Sequence, residues 1–287
     1  MDEKKSFFDS LEPKSALVVG VAAGFMGLCT IGFFILGAIM LKGGVGDFGG
    51  NASAYGNDVI QPSGQIATPQ AEPQPVNVPK SDKPQVELFV MSHCPYGLQA
   101  QKAYTPVAEL LGKKTNMSVK FVSYIMHGQP EKDDNNLEYC IQKEQNDKYL
   151  TFLKCYTASG DAQACLGSAG VNKSKLNSCI NNADKQFKIS EEFANRANWL
   201  SGQYPRYLVH QKENDAYGVQ GSPTLVVNGT QVEFSRSPEG LKQVICGAFN
   251  NPPEECKQTL STAQAAPGFG TAQAAANGTP AGAGCGV

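Results

Sequence analysis

One-sided charge is missing from this 287-residue chain, in which 24 lysines and arginines stand against 26 aspartates and glutamates. That balance leaves no electrostatic footprint for a nucleic-acid partner. Histidine is scarce, limited to His93, His127 and His210, so a His-rich catalytic metal centre is not expected. There is no C-x2-C pair, no C2H2 finger spacing and no glycine-rich phosphate loop ending in Lys-Ser or Lys-Thr. The expectation is therefore no metal and no cofactor.

Cysteine is not scarce. Nine occur, most of them in one segment, a high count for a reducing cytosol, and the greater part of the chain is expected outside it.

The longest apolar run is residues 16–41, ALVVGVAAGFMGLCTIGFFILGAIML, flanked by Lys14 and Lys42. It carries no charge and exceeds the roughly 20 residues a helix needs to cross a bilayer. It is also too long for the apolar core of a cleaved signal peptide. Lys4, Lys5 and Lys14 precede it and Lys42 alone follows directly, so residues 1–15 are expected in the cytoplasm and the rest outside. Cys29, within the span, is read as structural. Residues 43–84 are rich in Pro, Gly, Asn and Gln, lack apolar periodicity and include six prolines, the composition of a disordered linker. Residues 257–287, ending TPAGAGCGV, are poor in large apolar side chains and are expected to be a disordered tail. Residues 85–256 remain, enough for one domain of ordinary size.

Within that domain, residues 85–92 (QVELFVMS) predict a strand with Val86, Leu88 and Val90 on one face. A helix is expected from about Cys94–Tyr96 to Leu111, and a second strand over 118–125. Helices are expected over 135–156, 172–183 and 190–200. Residues 223–227, Asn228-Gly229 and 230–234 read as a β-hairpin. Ser237-Pro238 supplies an N-cap and first residue for a closing helix to about Phe249. The order is β-α-β, a block of helices, then β-β-α.

Two motifs carry chemistry. Ser92-His93-Cys94-Pro95-Tyr96-Gly97 lies where the first strand gives way to a helix. A cysteine there meets unpaired N–H groups and the positive end of the helix dipole, which favour the thiolate that exchanges with disulfides. A protonated His93 would reinforce this. Gly221-Ser222-Pro223-Thr224 stands just before the hairpin, where a proline opening a strand suits a cis bond.

Together the element order, the Cys-Pro-Tyr turn and the Gly-Ser-Pro-Thr loop resemble the thioredoxin fold, and the inserted helices resemble its DsbA-like branch. The implied class is α/β, a thioredoxin-like fold preceded by a single transmembrane helix. The resemblance makes Cys94 the nucleophile and Pro223 the cis-proline, with Ser222 presenting its backbone to a bound peptide. His93, Pro95, Tyr96, Gly97 and Thr224 complete the motif and groove. His127-Gly128, Glu131, Asn135 and Cys140 also stand at spacings similar to the signature of the gamma-interferon-inducible lysosomal thiol reductase family, with Ile125 and Lys132 where that signature has cysteines.

Gly97 departs from the dithiol pattern, which has a resolving cysteine three residues after the first. Three outcomes fit. Cys94 works as a monothiol, resolved by a small thiol or a partner oxidoreductase, which is the reading taken here. A distant cysteine such as Cys285 on the tail reaches back, a route that flexibility permits without favouring. Or redox turnover is lost and the groove beside Pro223 binds peptides. Cys94 coordinating an iron–sulfur cluster with glutathione and a second copy is disfavoured by an oxidising compartment.

Blander readings stand beside these. Cys94 as a buried, inert half-cystine would leave only an anchored globular domain, and Pro223 would then be an ordinary strand-entry proline. Tyr96 either shapes a groove or covers the thiol. His127 is expected to hold a loop rather than catalyse, Glu131 and Asn135 to be loop or cap residues, and His210 to lie at the surface. Cys140, Cys155, Cys165, Cys179, Cys246 and Cys256 are scaffold candidates. Six cysteines permit 15 connectivities; short closures suggest Cys246–Cys256 and Cys155–Cys165, leaving Cys140–Cys179. The function implied is a membrane-anchored, extracytoplasmic thiol–disulfide oxidoreductase acting on cysteines of secreted or surface proteins. The alternative is a redox-inactive binding module at the cell surface.

Overall fold

A computed structural model of the chain describes residues 78–275 and 282–287. The apolar run 16–41, the N-terminal residues 1–15 and most of the 43–84 linker lie outside the described residues. Among the described residues no helix is long and apolar enough to cross a membrane.

The elements run β1 (Gln85–Val90), α1 (Pro95–Leu111), β2 (Asn116–Phe121), α2 (Gly128–Glu144), α3 (Asn146–Ser159), α4 (Ala162–Ser168), α5 (Lys173–Phe187) and α6 (Ile189–Ala194). Then follow α7 (Gln211–Tyr217), β3 (Gly221–Ser222), β4 (Thr224–Val227), β5 (Thr230–Val232), α8 (Pro238–Gly247) and β6 (Cys285–Gly286). The main sheet has the order β2-β1-β4-β5. β1 runs parallel to β2, with Val90 opposite Phe121, and antiparallel to β4, with Val86 opposite Val227. A β-α-β unit, an antiparallel hairpin and a closing helix around one four-stranded sheet constitute the thioredoxin fold, and α2 to α7 form its helical insertion.

β1 is buried from Val86 onward on both faces, as a central strand must be when both faces are covered. Val86, Leu88 and Val90 join Leu98, Tyr104, Val107 and Leu111 of α1 in the main core. Phe89 and Met91 point the other way, into a smaller cluster with Val122, Tyr124, Val226 and Cys94. Cys94 is thus part of a core as well as of a helix start. The hairpin turns through Asn228 (φ 49°) and Gly229 (φ 81°), two successive left-handed residues that match the twist of the flanking strands.

Several expectations require correction. β2 ends at Phe121 because the chain then leaves the sheet, Ile125 N–H donating to Pro205 O at 2.8 Å. The helix expected over 135–156 is two helices, broken at Gln145 (φ −145°, ψ 49°). The Gln145 amide exchanges two hydrogen bonds with the Asn172 backbone, at the N-cap of α5, and that tertiary tie overrides helix continuity. The domain begins before Gln85: Val78 is buried, and Ser81 bridges Phe249 with N–H donation to Ala248 O at 2.9 Å.

The tail differs most from expectation. Gly268 N–H donates to Pro95 O (2.8 Å) and Gly270 N–H to Thr157 O (3.0 Å). The Gln99 and Lys102 side chains of α1 donate to Ala265 O and Ala266 O at 2.7 and 2.9 Å. Phe269 stands edge-on to Tyr156, centroids 5.2 Å apart. A segment too poor in apolar residues for a core of its own is held by backbone bonds to a core already made.

Three disulfides tie the scaffold. Cys140–Cys179 joins α2 to α5, Cys155–Cys165 closes the α3–α4 junction, and Cys246–Cys256 fastens the chain after α8.

Candidate active site

Cys94 occupies the N-cap of α1, with Gly97 N–H donating to its sulfur at 3.4 Å. Pro95 follows at the first helical position, where a missing N–H costs nothing. The Cys94 sulfur is fully buried and lies 3.4 Å from Ser222 O. The Ser222–Pro223 bond is cis. Ser222 Oγ accepts Met91 N–H at 2.9 Å, pinning the loop to the end of β1, and Thr224 Oγ1 donates to Gly221 O at 2.8 Å.

The sulfur is not free. Cys94 is disulfide-bonded to Cys285, 191 residues away, with Cα atoms 6.1 Å apart. This corrects both the accessible thiolate and the monothiol centre, and gives Cys94 a partner on the tail. Cys285 arrives on a strand: β6 pairs antiparallel with β3, Gly221 opposite Gly286 and Ser222 opposite Cys285. The approach is closer than side chains allow. A Cβ on Gly221 would stand 2.6 Å from Cys285 O, one on Gly284 would stand 2.8 Å from Ser222 O, and one on Gly286 3.0 Å from Gln220 O. Only glycine brings two backbones together in this way.

Beside Cys285 lies an open cleft of about 370 Å³, lined by the Gly221–Thr224 loop, β5, Arg236 and residues 282–287. Arg236 is buried. Its guanidinium donates to Ala283 O, and its carbon lies 5.5 Å from the Tyr96 ring centroid. Burial lowers the Arg236 pKa from its ordinary value, yet arginine keeps its charge.

His93 is engaged on the insertion side. Its Nε2 lies 2.8 Å from Asp134 Oδ2, which also accepts the Tyr156 hydroxyl at 2.8 Å, and its ring lies edge-on to Phe269. Neither Glu131 nor Asn135 lies in a loop, and of the two only Glu131 caps, its carboxylate in the first turn of α2 reaching back to the N–H of the N-cap residue His127. Both are buried inside α2: Glu131 accepts the N–H groups of Met126 and His127 and contacts the His127 ring. Asn135 Oδ1 accepts Ser92 N–H at 3.1 Å, and Ser92 Oγ donates to Glu131 O at 3.3 Å. These side chains fasten the residues entering the motif. One turn on, Glu138 is fully enclosed, accepting from Gln101 (2.7 Å) and Tyr149 (3.0 Å), and burial pushes its pKa up to about 8.

His210 is not at the surface. It is buried, its Nδ1 accepts Phe121 N–H at 3.0 Å, and burial, with Lys120 nearby, drives its pKa down to about 3. It supports β2, away from the sulfur chemistry. Arg236, Asp134, Tyr156 and Phe269 escaped the sequence reading. None belongs to a local motif; the one legible hint was Gly284-Cys285-Gly286, a cysteine between two residues without side chains.

No family profile and no curated protein matches the chain. Solved structures do. Oxidised BdbD from Bacillus subtilis is 18% identical, covering 63% of this chain and 92% of its own, with a TM-score of 0.38. Oxidised DsbA from Mycobacterium tuberculosis is 17% identical, over 63% and 95%, with a TM-score of 0.38. DsbA from Pseudomonas aeruginosa is 19% identical, over 61% and 85%, with a TM-score of 0.36. What the site can do is read from its own geometry: a thioredoxin-fold domain with a helix-start cysteine, a cis-proline loop against it, and a second cysteine delivered on a strand.

Proposed function

We propose that the chain is a thiol–disulfide oxidoreductase, tethered to the cell membrane by residues 16–41 and working outside the cytoplasm on cysteines of exported proteins. One observation carries the reading: the Cys94 sulfur, accepting the Gly97 N–H at a helix start, sits in a disulfide against Ser222 O beside the cis Pro223. An N–H group and the helix dipole aimed at one sulfur stabilise it as a thiolate, so once reduced it is the ionised nucleophile, and it leaves readily from a mixed disulfide with substrate. Net exchange converts a substrate dithiol and this disulfide into a substrate disulfide and two protein thiols, or runs in reverse.

A second reading is favoured by the complete burial of Cys94: a fixed bridge in a redox-inactive binding module. Equilibration of the full chain with glutathione separates the two. An exchanging pair is expected to have a potential above about −270 mV, whereas structural bridges lie below about −300 mV. Oxidation of a model dithiol peptide should also collapse in the Cys94→Ser chain; exchange that survives it unchanged removes the enzyme.

A further inference from the structure

We propose that residues 282–287 are an internal substrate strand: Cys285 is the second redox cysteine, and true substrates replace this strand on the β3 edge. The inference rests on the function proposed above and adds its resolving residue and substrate class. Three independent features of the tail converge. Cys285 is bonded to Cys94. Its strand pairs with Gly221 and Ser222, the residues immediately before the cis-proline. Arg236, buried beneath the groove, holds Ala283 O, so the strand is seated at a third point by a side chain that no catalytic step requires.

The seat also defines what can take its place. With Ser222 O 2.8 Å and Gln220 O 3.0 Å from where Cβ atoms at 284 and 286 would stand, a peptide in this register is selected for glycine on both sides of its cysteine, more strictly on the N-terminal side. The substrate class is an extended segment with Gly-Cys-Gly at its centre, recognised through its backbone. A segment with larger flanks must shift register or rise off the edge.

Exchange then proceeds by strand replacement. A substrate thiolate, having lost its proton to solvent, attacks the Cys94 sulfur. The Cys94–Cys285 bond breaks, a substrate–Cys94 disulfide forms, and Cys285 leaves as a thiolate that takes up a proton. A second substrate thiolate then attacks the substrate sulfur of that mixed disulfide, forms the substrate disulfide and expels Cys94 as a thiolate. In the opposite direction the Cys94 thiolate attacks a substrate disulfide and expels one substrate thiol, and the Cys285 thiolate attacks the Cys94 sulfur of the resulting mixed disulfide, re-forms the Cys94–Cys285 bond and expels the second. Position 97 needs no cysteine because the tail brings one.

The test uses the full chain, reduced, with excess reductant removed, and two synthetic probes: the symmetric disulfides of Ala-Gly-Cys-Gly-Val and Ala-Val-Cys-Val-Val amides. Acid-quenched samples are mapped by mass. In the Cys285→Ser chain the glycine-flanked adduct on Cys94 should form about ten-fold or more faster than the valine-flanked one. It should also persist at least about ten-fold longer there than in the unsubstituted chain, where Cys285 expels the peptide. Equal adduct lifetimes in the two chains, or equal rates for the two peptides, would overturn the inference while leaving Cys94 chemistry standing. No adduct in either chain overturns the function itself, and the inference with it.

Discussion

Gly97 and Ser222 compete for one volume: a Cβ on Gly97 would stand 2.5 Å from Ser222 Oγ, with Met91 O at 3.0 Å. The hydroxyl that fills this space is the one accepting Met91 N–H, so the cis-proline loop is docked through the room a side chain at 97 would need. The missing cysteine at that position is therefore a packing requirement of this loop as well as a chemical difference.

Gly97→Ala should cost about 1–3 kcal/mol by overpacking, read by denaturant unfolding. Combined with Ser222→Gly it should cost less than the two single changes summed, since removing the hydroxyl vacates the contested space. Strict additivity would show that the two residues do not meet.

Limiting reductant should open Cys94–Cys285 before the other three bridges. The Gly97 N–H and the helix start stabilise the Cys94 thiolate of the reduced form, although Cys94 is as buried as Cys140 and Cys165. Differential alkylation and peptide mapping give the order; a scaffold bridge opening first would contradict it.

Loss of Cys140–Cys179, which spans 39 residues, should destabilise the domain by about 4 kcal/mol, against about 3 kcal/mol for Cys155–Cys165 or Cys246–Cys256, each spanning 10. Paired Cys→Ala substitutions and urea unfolding test the ranking.

His210 is buried neutral, its pKa depressed by burial to about 3. Its contribution to stability is complete above the unfolded value of about 6.5 and is lost as pH falls from there through about 3, where the unfolded chain binds the proton first. His210→Ala should flatten that acid slope and cost about 1–3 kcal/mol at neutral pH, because Phe121 N–H loses its acceptor. An imidazole that titrates near pH 6.5 by NMR would refute the burial argument.

Glu138 works in the opposite sense. With its pKa raised by burial to about 8, its contribution is complete below the unfolded carboxylate range near 4.5 and is lost as pH rises through about 8. Glu138→Gln should remove this decline. A wild-type stability curve with the same slope as the variant between those limits would exclude it.

The alternation of β1, the start of α1, the Asn228-Gly229 turn and the Ser237-Pro238 helix entry were legible because each is a local preference: period-two apolar spacing, an N-cap, two residues tolerant of positive φ. The break at Gln145 was not legible, since it depends on Asn172 from another helix. His210 and Asn135 were misread for a related reason. A polar residue is assigned to the surface unless its buried partner is known, and both partners here are backbone N–H groups more than 40 residues away.

By itself the sequence determined which sulfur stands at a helix start, which proline opens the last hairpin and which glycine interrupts the dithiol motif, because adjacent residues carry that information. Only the tertiary structure decided that Cys94 is paired, and with which cysteine. Joining residues 94 and 285 takes the packed sheet, the buried Arg236 and a strand edge left open at Gly221–Ser222, and none of these exists until the rest of the chain has folded.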